Sequence, residues 1–182
     1  MEIVVFGAGS IGSLLGALLA RVPDHDVTLV GRGPHVSAIR RRGLRVEGIE
    51  SFTVEPQATT DGTDLAADLV LVTVKAYDTE AAARELRTGE FDAVCSLQNG
   101  MGNEETLAGY LDCPVLGGTT SYGAVRTDSG EVVWNGAGEI AVGPWAPRGD
   151  DETAATVGAA MTAAGLEVDV VDGAGIRRRL WE

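Results

Sequence analysis

Apolar residues in this chain fall into two alternating patterns. Short, nearly unbroken runs, EIVVF (2–6), DVTLV (26–30), ADLVLVTV (67–74), FDAVCSL (91–97) and PVLGGTT (114–120), predict strands covered on both faces. Between them, SIGSLLGALLAR (10–21), HVSAIRRR (35–42), TEAAARELR (79–87) and NEETLAGYL (103–111) repeat apolar residues at three and four, the period of helices packed along one side. Strands and helices taking turns predict βαβ units and an α/β fold with a doubly wound, mostly parallel sheet.

Two segments break the alternation. GLRVEGIESFTVEP (43–56) reads as a small hairpin-like excursion. After residue 121 the sequence GAVRTDSGEVVWNGAGEIAVG carries short apolar runs separated by S-G and N-G turn signals, which predicts two or three strands forming a short antiparallel extension. DDETAATVGAAMTAAG (150–165) then predicts a helix with acids in its first turn, LEVDVV (166–171) a last strand, and AGIRRRLWE (174–182) the start of another helix. No repeat or low-complexity segment interrupts the 182 residues.

Composition narrows the function classes. Hydrophobic residues make up 45% of the chain, enough for a sizeable core without staples. Twenty-seven acids against fourteen bases give a net charge of −13, which repels nucleic acid and anionic lipid. No apolar run approaches the roughly 18 residues of a membrane span, and MEIVVFGAG lacks a basic leader, so the expected location is cytoplasmic. Thirteen of the fourteen bases are arginine and the acids are scattered, a composition expected of a surface solvated in high salt, as in a halophile. Cys95 and Cys113 lack metal-ligand spacing and read as small apolar residues at strand ends; His25 and His35 read as exposed structural residues near loops.

The chemistry concentrates in a few motifs. GAGSIG (7–12) is a G-x-G-x-x-G match between an apolar strand and an amphipathic helix, the context of a Rossmann-like dinucleotide fold. Gly7 permits the tight turn, Gly9 lets backbone approach a pyrophosphate, and Gly12 lets helix pack on strand, with Ala8, Ser10 and Ile11 completing the loop at the helix N-terminus. The second strand runs into LVGRG, which offers Arg32 where an NAD-binding acid would stand, so NADP is expected over NAD. VTVKAYD (72–78) holds the chain's one lysine, Lys75, and directly follows an apolar strand, as does Asn99 in QNGMG (98–102). Ligands in open α/β sheets bind beyond that carboxyl edge.

GAGSIG, VTVKAYDT, QNGMG and GTTSYGA (118–124), in this order and spacing, resemble the ketopantoate reductase family, with GIRRRLWE similar to the opening of that family's interdomain helix. The resemblance spans essentially the whole chain. It implies an NADPH-dependent reduction of 2-dehydropantoate to pantoate on the route to coenzyme A, with a small 2-keto acid as substrate. It implies supporting roles for Lys75 and Asn99 beside nicotinamide and ribose, Gly100 allowing close backbone approach, and Thr119 and Thr120 near the nicotinamide side. Where the family often has histidine this chain has Trp134 and Asn135, and neither receives a role.

The same resemblance divides the chain into a cofactor-binding domain (1–172) and the start of an interdomain helix (173–182), without the family's helical C-terminal domain. The family's general acid, a second lysine, would fall one residue after Glu182. Ile176 and Leu180 form an inward i, i+4 stripe whose next position is the same place. The expectation is therefore cofactor binding without turnover, and self-association through the terminal helix. Two other readings stay open: a reductase of another 2-keto acid, and a nucleotide-sensing Rossmann domain without catalysis.

Overall fold

The computed structural model describes Met1–Glu182. Its main sheet has eight strands: β1 (Glu2–Phe6), β2 (Asp26–Val30), β5 (Gln57–Thr59), β6 (Ala66–Val72), β7 (Glu90–Ser96), β8 (Val115–Thr120), β11 (Ile140–Trp145) and β12 (Val168–Val170). Their spatial order is β12-β11-β8-β7-β6-β1-β2-β5. From β5 to β8 the neighbours are parallel; β11 lies antiparallel to β8 and carries β12 at the edge. The first six parallel strands thus follow the doubly wound order 3-2-1-4-5-6, and the winding reverses between β1 and β6.

Each face of the sheet has its own core. On one, Ile3, Val5, Leu69 and Leu71 meet Leu14, Leu15 and Leu18 of α1 (Ser10–Leu19), Val36 and Ile39 of α2 (Gly33–Arg42), and Val157 and Met161 of α5 (Asp151–Ala163). On the other, Val4, Phe6, Val70 and Val72 meet Ala83 and Leu86 of α3 (Thr79–Leu86), Leu107 of α4 (Asn103–Tyr110) and Ile176 of α6 (Gly173–Trp181). Alternate residues of one strand feed opposite cores because successive side chains of a strand point to opposite faces. That is why these strands read as unbroken apolar runs. Ile176 is fully buried and Leu180 packs beside it, so the predicted stripe of α6 does face the sheet.

The two irregular segments come together in a way their patterns did not predict. The hairpin β3 (Leu44–Gly48) and β4 (Phe52–Val54) joins the hairpin β9 (Gly123–Asp128) and β10 (Glu131–Gly136) in a separate four-stranded sheet, ordered β4-β3-β10-β9. β3 and β10 pair in parallel across more than eighty residues of sequence, which no local pattern encodes. This second sheet covers α1, with Leu44, Val46 and Val132 in the same core as Leu14 and Leu18. The short parallel strand β5, at the sheet edge beside β2, was also not anticipated.

Candidate functional site

An open cleft of about 670 Å³ lies along the carboxyl edge of the main sheet, centred on β1 and β6 where the winding reverses. One wall is the glycine loop. The N–H groups of Gly7 and Ala8 both donate to Val30 O, at 3.0 and 2.8 Å, fastening the loop to the end of β2. Gly7 has φ +114°, and a Cβ there would lie 2.7 Å from Val74 N; a Cβ on Gly12 would lie 2.2 Å from Gly7 O. Both glycines are therefore demanded by the protein's own packing. Gly9 differs: its nearest obstruction is Gly7 O at 4.0 Å, and its backbone has an ordinary negative φ. Gly9 is the N-cap of helix α1 and offers no side-chain cap, leaving first-turn N–H groups and the positive end of the dipole at the cleft.

The facing wall is made by the loops after β6 and β7, and buried side chains hold it. Gln98, 4% exposed, donates from Nε2 to Val74 O (3.1 Å) and Thr79 Oγ1 (2.7 Å), and Oε1 accepts from Ser96 Oγ at 3.4 Å. Thr79 donates to Asn103 Oδ1 at 2.8 Å, and Asn103 Nδ2 donates to Gly100 O at 2.8 Å and Asn99 O at 3.4 Å. This relay joins the segment before Lys75 to the carbonyls of Asn99 and Gly100. Lys75 and Asn99 themselves are exposed and both line the cleft.

Three cations reach the cleft, Arg32, Lys75 and Arg126, against Asp78 and Glu85. The chain's seven ion pairs all use other arginines, so none of the three is neutralised within the protein. Arg32 occupies the N-cap position of α2, a helix with no side-chain cap and no acid in its first turn. An excess of cations at two uncapped helix starts makes the cleft locally electropositive in a chain of charge −13, an arrangement chemically suited to an anion.

The sequence-derived residues separate into groups. Gly7, Ala8, Gly9, Ser10, Ile11, Arg32, Lys75 and Asn99 meet at the cleft, as does Thr120; Thr119 lies outside its lining. Gly12 packs helix on loop behind the surface, and Gly100, at φ +94°, also stands outside the lining and serves the relay. Unforeseen were Arg126, brought in by β9 of the second sheet, Tyr122 in the link between β8 and β9, and the relay residues Gln98, Thr79 and Asn103. Gln98 and Thr79 had a signal, since each closes or opens one of the two motifs around Lys75 and Asn99. Trp134 is a packing residue, its ring 6.2 Å from Tyr122 and its Nε1 donating to Gly136 O.

Two expectations are corrected. His35 is not exposed: it is 2% exposed, with Nδ1 accepting from Gly130 N–H and Nε2 2.9 Å from Ser13 Oγ. Because Nδ1 accepts, the neutral ring carries its proton on Nε2 and donates it to the serine. Burial, assisted by the charge of Arg126, lowers its pKa to about 4. Cys113 lies in the turn between α4 and β8 and only Cys95 sits at a strand end, where burial pushes its thiol pKa far up. Behind the relay, Glu104 is 1% exposed with Oε1 unpartnered, and burial raises its pKa.

Residues 3–147 match the family model described as ketopantoate reductase PanE/ApbA. A 2-dehydropantoate 2-reductase of Pyrococcus horikoshii is 42% identical over 173 residues, covering 94% of this chain and 56% of that protein. One from Halobacterium salinarum is 42% identical over 189 residues, covering all of this chain and 61% of that protein. Among solved structures, a PanE/ApbA family ketopantoate reductase from Ralstonia eutropha superposes with a TM-score of 0.87 at 33% identity, covering all of this chain and 59% of that one. A D-mandelate dehydrogenase solved with NADH and anilino(oxo)acetate shares the fold, with a TM-score of 0.86 at 22% identity over all of this chain and 59% of that one. The chain spans under two thirds of each of these proteins. None of its helices is long and apolar enough to cross a membrane.

Proposed function

The chain belongs to the ketopantoate reductase family, and from that premise we propose that residues 1–182 are the NADPH-binding part of a 2-dehydropantoate 2-reductase, acting on the route to pantothenate and coenzyme A. The observation that carries this reading is Gly9, a glycine that neither backbone strain nor internal packing requires, opening onto a cleft at an uncapped helix start. A Cβ there would stand in the space where a pyrophosphate meets the α1 N-terminus. The residues present therefore fit a dinucleotide.

Arg32 and the N-terminus of α2 receive the 2′-phosphate, since LVGRG offers no carboxylate to oppose it. Lys75 and Asn99, held at fixed separation by the relay behind them, flank the ribose and nicotinamide and donate hydrogen bonds toward the substrate carbonyl. The cofactor, when bound, supplies the hydride. Lys75 orients and polarises rather than protonates, and as the one lysine of the 182 residues it leaves no second ammonium in the cleft to give the proton.

Titration with reduced cofactors, followed by nicotinamide fluorescence, tests this directly. NADPH is expected to bind at least about tenfold tighter than NADH; equal or tighter binding of NADH overturns the assignment of Arg32. Lys75→Arg is expected to weaken NADPH several-fold with no change in stability, because a planar guanidinium does not reproduce a compact ammonium. The 182 residues are expected to bind cofactor while reducing ketopantoate negligibly; robust turnover would require a proton donor within them.

A further inference from the structure

We propose that Arg126, on β9 of the second sheet, is a cofactor-binding residue that clamps the pyrophosphate against the glycine loop. The inference rests on the dinucleotide reading above. Arg126 lies 118 residues after Ala8, yet its Nη1 approaches Ala8 O at 3.4 Å and its backbone N–H donates to Ser10 Oγ at 3.0 Å. Strand and side chain together hold the guanidinium beside the first residues of α1.

That position is unfavourable for a cation by itself. The N-terminus of a helix is its positive end, and a second positive charge there is repelled unless an anion intervenes. No carboxylate compensates: Arg126 forms none of the chain's ion pairs, although the chain carries 27 acids. Its contact with Ala8 O is long and uses one of five N–H donors, leaving the rest of the fork for a ligand. Ser10 is arranged to assist, because its Oγ accepts from the Arg126 backbone and so keeps its own hydrogen for a phosphate oxygen.

The two cleft arginines then divide the cofactor. Arg32 sits at the end of β2, where the adenine ribose of a dinucleotide lies, and Arg126 at the glycine loop, where its pyrophosphate lies. Arg32 reads the group that distinguishes NADP from NAD; Arg126 holds the group they share.

Binding of NADPH, NADH and adenosine 2′-monophosphate to the full 182-residue chain separates these roles. Arg126→Met is expected to weaken NADPH and NADH by a similar factor, about tenfold, through loss of a charge-assisted bidentate contact, and to leave adenosine 2′-monophosphate unchanged. Arg32→Met is expected to weaken NADPH and the monophosphate while sparing NADH. Arg126→Lys, which keeps the charge and loses the fork, should fall between wild type and methionine. Unchanged dinucleotide affinity in folded Arg126→Met, or a loss confined to NADPH and the monophosphate, overturns the proposal. If Arg126→Met does not fold, a lysine variant that binds both dinucleotides as wild type overturns it. Failure of the wild-type chain to bind either dinucleotide would instead remove the dinucleotide reading, whichever arginine is present.

Discussion

The two walls of the cleft sit on the same sheet edge and are built by opposite means. The glycine loop is fixed by close backbone contact: Gly7 and Gly12 sit where no side chain fits, and main-chain bonds to Val30 do the rest. The wall bearing Lys75 and Asn99 is fixed by side chains, through a buried run of hydrogen bonds from Ser96 and Gln98 through Thr79 to Asn103. A pyrophosphate lying against a helix start needs backbone N–H groups at short range, which a loop without side chains in the way can provide. The reacting end needs side chains at a set spacing, and a polar scaffold can set that spacing while the loop tips stay exposed. One wall should therefore fail by overpacking and the other by unsatisfied polar groups.

The largest effect is expected from Gly12→Ala. Its Cβ would fall 2.2 Å from Gly7 O and 2.5 Å from Thr73 Oγ1, and the carbonyl is backbone that cannot step aside. A loss of about 3 kcal/mol of unfolding free energy, at the upper end for overpacking, should appear in urea melts together with loss of cofactor binding. A stability within 0.5 kcal/mol of wild type would mean that helix and loop are not locked in the way described.

Acid sharpens the contrast, since a buried histidine beside one wall and a buried carboxyl behind the other act in opposite directions. His35 ties α1 and α2 to the β9–β10 turn, and its pKa is lowered to about 4. The unfolded chain binds this proton below pH 6.5 and the folded chain does not, so stability is full above that value and falls as pH drops toward 4. Between pH 7 and pH 5 the loss is about 2 kcal/mol from this group. Glu104, on the other wall, has a raised pKa and favours the protonated form, so its contribution is present at low pH and lost as pH rises above the ordinary carboxylate range. His35→Gln should flatten the acid limb of a stability-against-pH curve, and Glu104→Gln should raise stability at neutral pH; the reverse pattern would exchange the two assignments.

Thr79→Val tests the polar wall itself. Removing the hydroxyl leaves the buried Gln98 Nε2 short of one acceptor and Asn103 Oδ1 without its donor. A cost of about 2 kcal/mol is expected, with weaker NADPH binding as the loops lose register. Thr79→Ser should restore both, because it returns the hydroxyl and lacks only a methyl. A valine variant with full stability and full affinity would show that backbone contacts also hold this wall.

This difference in construction explains what could be read in advance. The longer parallel strands of the main sheet, though not β5, and most of the glycine loop were legible because both depend on local sequence: apolar runs, a helix period, and glycines at fixed offsets. Arg126 was not, since its place depends on β9 crossing α1 and on β3 pairing with β10, contacts set by tertiary packing alone. His35 misled for the same reason; its burial comes from the β9–β10 turn, nearly a hundred residues on. The relay lay between these cases, with its residues inside recognisable motifs but their bonds visible only once β6 and β7 stand side by side.

Gly9→Ala is expected to have the smallest effect on the fold and is the sharpest probe of the cleft. Its φ of −80° suits alanine, and the nearest atom to the added Cβ is 4.0 Å away, in ordinary contact. Stability should stay within about 0.5 kcal/mol of wild type, or rise slightly as the unfolded chain loses freedom. Cofactor affinity should nonetheless fall, by about tenfold or more, because the methyl group occupies the space a pyrophosphate needs. Gly12→Ala loses binding by losing the loop, whereas Gly9→Ala would lose it with the loop intact. Calorimetric titration of NADPH beside a urea melt separates the two, and a Gly9→Ala chain that binds as wild type would leave that open space without a ligand to explain it.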